Sequence, residues 1–119
     1  MTPTAENRQI LRRFLNEKIP FEGVDSDTRF LDTEIDQMIT DNRSIEASAA
    51  QGWQLKAGMV QEEMGDIAET QAGAERYKYT SLLDRFKFFM QMAAMYEDKD
   101  RKKFSQGSVM LKLTRPEVI

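Results

Sequence analysis

The sequence predicts a mostly α fold: a four-helix, bundle-like domain with long, antiparallel third and fourth helices, followed by an extended C-terminal tail. Three observations predict it. Apolar residues recur at steps of three and four over long stretches of the 119 residues, the pattern of helices with one buried stripe. Segments holding proline, glycine and aspartate separate those stretches. Near the C-terminus the period changes from helical to two. Residues 1–103 form the expected helical domain and 104–119 the arm.

The first helix is expected over residues 3–18. Thr2 caps it and Pro3 takes the first helical position, where a missing N–H does no harm. Ile10, Leu11, Phe14, Leu15 and Ile19 form its apolar stripe, Arg8, Arg12 and Arg13 lie on or beside its polar face, and Pro20 stops it. Residues 20–31 read as a loop. A second short helix, 34–40, is capped by Asp32 or Thr33 and buries Ile35, Met38 and Ile39. Asp25, Asp27 and Asp36 occupy positions one, three and twelve of a calcium-loop pattern, but Arg29 and Phe30 stand where a ligand and a glycine are needed. Their better reading is as acidic residues favouring the positive end of a helix dipole.

Ser44 caps the third helix, 45–67, in which Ile45, Ala49, Trp53, Ala57, Val60, Met64 and Ile67 recur at helical spacing. Its other side carries small residues. Gly52, Gly58 and Gly65 each cost ~1 kcal/mol in a helix interior, which close approach of a neighbouring backbone, or a kink near Gly65, would explain. Helical periodicity fades over 66–79, read as a crossing loop with a short hairpin around 72–74. Thr80 or Ser81 then caps the fourth helix.

That helix, 80–98, is apolar on more than one face. Leu82, Phe86, Phe89, Ala93 and Tyr96 make one stripe; Phe88, Met92 and Met95 make another. It must be covered from several sides, either as the centre of a monomeric bundle or by a second protein molecule. Phe88, Met92 and Met95, with Gly58 and Gly65 of the third helix, are the candidate subunit-interface residues. In the tail, Val109, Leu111 and Leu113 alternate with Met110, Lys112 and Thr114 as in a strand. A lone strand is not stable in water, so it either returns onto 66–79 or pairs with another protein through Val109, Met110, Leu111 and Leu113.

Composition narrows the chemistry. There are no cysteines and no histidines, which excludes disulfides, thiol nucleophiles, Cys/His zinc sites and Ser-His-Asp catalysis. The net charge of −3 exerts no general pull towards nucleic acid or anionic membranes. No apolar run approaches the roughly 20 residues of a membrane span, and the first ten residues lack the order of a signal peptide, so the expectation is a soluble protein made in a cytoplasm. The acid pairs Glu62/Glu63 and Asp66/Glu69 have no nucleophile or phosphate loop beside them. Lys99, Arg101, Lys102 and Lys103 make a basic patch, but Asp98 and Asp100 interrupt it. Neither an enzyme nor a cofactor is expected. A small helical regulatory or DNA-binding module is the alternative to an assembly role.

An acidic loop, a helix opening at FLDTEID (30–36), then AAQGW-x-x-KAG (49–58), then a loop into an amphipathic helix resembles the head-to-tail connector adaptors of long-tailed bacteriophages. The likeness spans residues 10–96. It implies a structural subunit of the virion neck, made in the bacterial host, that assembles with itself into a ring, commonly twelve-fold. Its implied partners are the capsid portal protein and the tail-side stopper or tail protein. DNA passes through the channel without specific binding. The acidic loop and the basic first helix would face each other across subunits, or the loop would line the channel, and the C-terminal arm would grip the portal or a neighbour.

Overall fold

A computed structural model describes the backbone of residues 1–70 and 73–113 and the side chains of residues 1–66 and 78–104. Four α-helices appear in order: α1 (Ala5–Phe14), α2 (Asp32–Asp41), α3 (Ile45–Thr70) and α4 (Gly73–Leu113), with a short 3-10 turn at Asp25–Asp27. No strand occurs among the described residues. At 1.5 Å per residue α3 is about 39 Å long and α4 about 61 Å, and the two run antiparallel as the dominant pair.

Most residues of the expected stripes are buried; Ile10, Phe14, Met64 and Phe86 pack half-buried against the core, and the side chain of Ile67 lies outside the described residues. Leu11 and Leu15 of the α1 segment meet Ile35, Met38 and Ile39 of α2 and Ala49, Trp53, Ala57 and Val60 of α3. Leu82, Phe89, Ala93 and Tyr96 of α4 close this core. Among the described residues its last buried positions are Val60 and Leu82, part-way along α3 and α4. The molecule is therefore long, 68 × 36 × 20 Å, with a radius of gyration of 18.6 Å, against about 13–14 Å for a compact domain of this length.

Helix boundaries differ from the expected ones for local reasons. α1 starts two residues later than expected: Thr4, not Thr2, is its cap, accepting from the Asn7 N–H at 3.1 Å. It ends at Phe14, before Pro20 acts. Asn16 adopts left-handed backbone (φ 56°), the Asn16 N–H donates to Arg13 O and the Glu17 N–H to Arg12 O, which is a Schellman ending. α2 begins at Asp32, and in place of a side-chain cap from Asp32 or Thr33 the Glu34 carboxylate accepts the Leu31 N–H at 2.9 Å. Ser44 does cap α3, accepting from Ala47 N–H at 3.0 Å.

Two expectations are corrected. Residues 66–70 and 73–79 are helix, not a crossing loop. Alanine, glutamate, arginine and lysine carry helix there by propensity, whereas periodicity reports burial; of the expected hairpin around 72–74, Ala72 lies outside the described residues. The C-terminal segment is also helical: α4 runs on through Val109, Met110, Leu111 and Leu113, where a period-two ribbon was expected. Six alternating residues are a short signal, and Met, Leu and Lys are good helix formers. Residues 114–119 lie outside the description.

Candidate functional site

The 49–58 stretch receives the end of α1, and residues of the 30–36 stretch share its buried core. α1 ends against the middle of α3, leaving C-terminal carbonyls that need donors. Trp53 Nε1 donates to Phe14 O at 3.1 Å, and the Lys56 ammonium donates to Leu15 O at 2.7 Å. Gly52 makes room between them: a Cβ there would fall 2.5 Å from Leu15 Cδ2. Gly52, Trp53 and Lys56 thus form a single seat for the end of α1.

Lys56 also pairs with Glu17 at 2.9 Å, with both side chains almost wholly buried. Its ammonium lies 4.2 Å from the Trp53 ring centroid and 5.0 Å from that of Phe89. Burial holds the Lys56 pKa below its ordinary value, with Glu17 opposing only in part. Burial alone would raise the Glu17 carboxyl. The Arg29 backbone N–H (2.8 Å), Lys56 and the Arg29 guanidinium (3.0 Å) outweigh it, and Glu17 titrates below its usual range.

Arg12, expected on or beside a polar face, is buried as well. It donates to Glu17 O, Thr28 Oγ1, Phe30 O and Asp32 Oδ1, which pins the 15–31 loop. Arg8 forms a two-pronged pair with Asp36. Two contacts between the basic helix and acidic residues thus form within one chain. The carboxylates of the calcium-like pattern serve elsewhere: Asp25 accepts from Asp32 N–H, Asp27 from Val24 N–H, and Asp36 holds Arg8. No cluster of three potential metal-ligating side chains occurs among the described residues.

At the other end Asp100 of α4 is buried against the start of α3. It accepts from Arg43 at 2.9 Å and from Ser44 Oγ at 2.5 Å. The Arg43 bond lowers its pKa, burial opposes, Ser44 assists, and the net shift is downward. Arg43 stacks over Phe104 at 3.9 Å and Lys103 reaches Glu46 at 3.5 Å. Much of the basic patch is thereby used internally, since Lys102 pairs with Asp98 and Lys99 sits over Tyr96.

What the fold leaves outside is apolar surface. On α4, Phe88, Met90 and Met95 are exposed, Phe88 still touching Trp53 edge-on at 5.9 Å, while Met92 packs against the core. Of the expected interface residues, Phe88 and Met95 are therefore open to a partner and Met92 is half-buried. A Cβ at Gly58 or Gly65 would meet nothing within 4 Å, so no neighbouring backbone among the described residues requires these glycines. Nor does Gly65 end the helix, which runs on to Thr70. Gly58 lies instead in a hollow of about 580 Å³ on the outer face of α3, lined by Phe30, Glu34, Leu55, Met59 and Glu62. Val109, Met110, Leu111 and Leu113 share the helical backbone of α4, and their side chains lie outside the description.

Sequence reasoning missed several exposed apolar residues, Val24 and Leu55 among them, and above all Phe21. Phe21 is 94% exposed at the corner of a tight turn closed by the Gly23 N–H to Pro20 O bond at 2.8 Å. Glu22 sits at the third position with φ 60°, where a non-glycine residue costs roughly 1–2 kcal/mol. The signal that could have found it was the Pro-Phe-Glu-Gly run itself, a turn with an aromatic inside it. Among the described residues no helix is long and apolar enough to cross a membrane. Comparison with protein-family models, with curated proteins and with solved structures finds no match to this chain.

Proposed function

We propose that this chain is a structural, non-catalytic subunit of a bacteriophage neck, a small helical adaptor that forms a ring joining the capsid portal to the tail or its stopper. The observation that carries this reading is the exposed apolar surface of an elongated hairpin: Leu55 on α3 and Phe88, Met90 and Met95 on α4 stay between 38% and 47% exposed. Large apolar side chains left exposed on two different helices offer contact surface to other macromolecules, and a ring needs two different contact faces on each subunit.

The junction described above supports the same reading. The residues of FLDTEID and AAQGW-x-x-KAG act as a framework, with Phe30, Ile35, Ala49, Ala50, Trp53 and Ala57 buried and Asp32, Asp36 and Lys56 in ion pairs. A rigid framework with greasy outer faces suits an assembly subunit. The acid pair Glu62/Glu63 lies exposed on the helix surface, the ordinary place for solvated carboxylates.

The test is co-expression with the portal and tail-side proteins of the same virus, followed by affinity capture of the portal and electron microscopy. Rings of this chain on the portal are expected. A chain that binds neither portal nor tail-side protein and forms no ring overturns the reading.

A further inference from the structure

We infer that the depression beside the last turns of α1 is a binding site for a doubly charged oxyanion, inorganic phosphate or a phosphate monoester. The inference goes beyond the neck reading and does not rest on it. The depression holds about 430 Å³ and is lined by Gln9, Arg12, Arg13, Lys18 and Ile19. Gln9, Arg12 and Arg13 share one face of α1 because residues three and four apart are neighbours on a helix. Asn16, in its left-handed conformation, then turns the chain so that Lys18 and Ile19 return to the same depression. Cations from two separate segments thereby converge on one hollow.

Charge accounting shows that they are not needed elsewhere. Arg8 is paired with Asp36, and Arg29 and Lys56 are paired with Glu17. Arg13 and Lys18 are exposed and make no ion pair among the described residues. The acids near them in sequence are turned to other work: Glu17 faces inward to Lys56 and Arg29, while Asp25 and Asp27 hold backbone N–H groups of their own loop. Glu22 does not border the depression, and neither does any other carboxylate among the described residues.

A buried group points into the same place. Arg12 lines the depression although its side chain is only 4% exposed. Its two terminal nitrogens make four hydrogen bonds, to Glu17 O, Thr28 Oγ1, Phe30 O and Asp32 Oδ1. Its Nε–H is the one buried side-chain nitrogen or oxygen among the described residues with no partner. Buried donors are seldom left unmade, because the group gives up water and gains nothing in return. An oxyanion seated over Arg12 supplies the missing acceptor, and arginine matches phosphate in charge and shape.

The charge also selects the class of anion. Asp32 offsets Arg12, and the negative end of the α1 dipole offsets about half a charge more. Arg13 and Lys18 then leave about one and a half positive charges, close to the roughly −1.5 to −2 of a phosphate monoester at neutral pH. A carboxylate or a phosphodiester carries too little charge to balance them.

The test titrates inorganic phosphate into the purified full chain at constant ionic strength, set with chloride, and follows backbone amides and the Arg12 Nε–H by nuclear magnetic resonance. Saturable shifts are expected at Arg12 Nε–H, Gln9, Arg13 and Lys18. A double variant, Arg13→Gln with Lys18→Gln, keeps the fold because both residues are exposed and unpaired, as circular dichroism checks, and should bind roughly tenfold or more weakly, as for two lost charge-assisted bonds. Phosphoserine should bind as phosphate does, and acetate more weakly, as should a single-stranded oligonucleotide at equal phosphate content. No saturable shift, an Arg12 Nε–H signal that stays in place, or undiminished binding by the double variant overturns the inference. Acetate as tight as phosphate makes this a carboxylate site, and an oligonucleotide that binds more tightly makes it a nucleic-acid contact; either result overturns the phosphate assignment.

Discussion

The Lys56 ammonium lies 2.9 Å from a Glu17 carboxylate oxygen, with the lysine side chain 3% and the glutamate 5% exposed. The two residues stand on separate segments, one in the chain just after α1 and one in the middle of α3. Removing either does different damage. Lys56→Met leaves Glu17 with the Arg29 N–H and guanidinium, so the loss is chiefly an unmet Leu15 carbonyl, about 1–3 kcal/mol. Glu17→Ala leaves an ammonium in the interior with one carbonyl and two ring faces, and about 3–5 kcal/mol is expected. Urea unfolding of both variants and of the double variant measures this; the double variant should lose less than the two single losses combined, as for coupled neighbours.

Acid should unfold the protein through two carboxylates. Glu17 and Asp100 have ordinary values of 4.5 and 3.8, and both are lowered in the fold. The unfolded chain therefore takes up these protons first as pH falls, and the slope of stability with pH is positive in that window. Their contributions are fully present above pH 4.5 and are lost as pH drops through the lower, folded-state values. Melting temperature measured from about pH 7 down to about pH 3 should fall most steeply below about 4.5, and Asp100→Asn should flatten part of that fall.

The apolar stripes were legible because a helix packed on one side repeats every three to four residues: Leu11 with Leu15, Ile35 with Met38 and Ile39, and Trp53 with Ala57 and Val60 all went inside. The second face of α4 was legible for the same reason, and Phe88 and Met95 are exposed. Arg12 and the Glu17–Lys56 pair were not. An ion pair joining residues so far apart in the chain leaves no period behind, and an arginine on a helix reads as polar whether or not a loop folds over it. Periodicity also misled where it was absent, since the 73–79 helix is carried by propensity. Phe21 escaped notice because one aromatic residue in a loop makes no pattern.

Two glycines in α3 should respond to alanine with opposite signs. At Gly52 the new methyl meets Leu15 Cδ2 at 2.5 Å and Cδ1 at 2.8 Å. Leu15 is fully buried, so it has little room to move. Overpacking of about 1–3 kcal/mol outweighs the ~1 kcal/mol of helix propensity that alanine supplies, and Gly52→Ala should be destabilised. Gly58→Ala meets nothing within 4 Å and should gain about 1 kcal/mol. Thermal unfolding of the pair checks the prediction; a destabilised Gly58→Ala variant would show that the helix there needs glycine for itself.

Truncation at the end of α4 should separate folding from partner binding. Asp100, Lys103 and Phe104 tie the helix to Arg43, Ser44 and Glu46, so a chain cut after Phe104 retains every one of these contacts. A chain cut before Phe104 loses the Arg43 stack, worth about 0.5–1 kcal/mol at a partly exposed site. The cut after Phe104 should therefore leave melting temperature nearly unchanged while removing Val109, Met110, Leu111 and Leu113. On the neck reading it should also abolish capture by the portal. Calorimetry and portal pull-down on the same preparation test both halves: a collapsed melting transition means that α4 beyond Phe104 stabilises the domain, and normal capture means that these four residues are not the portal contact.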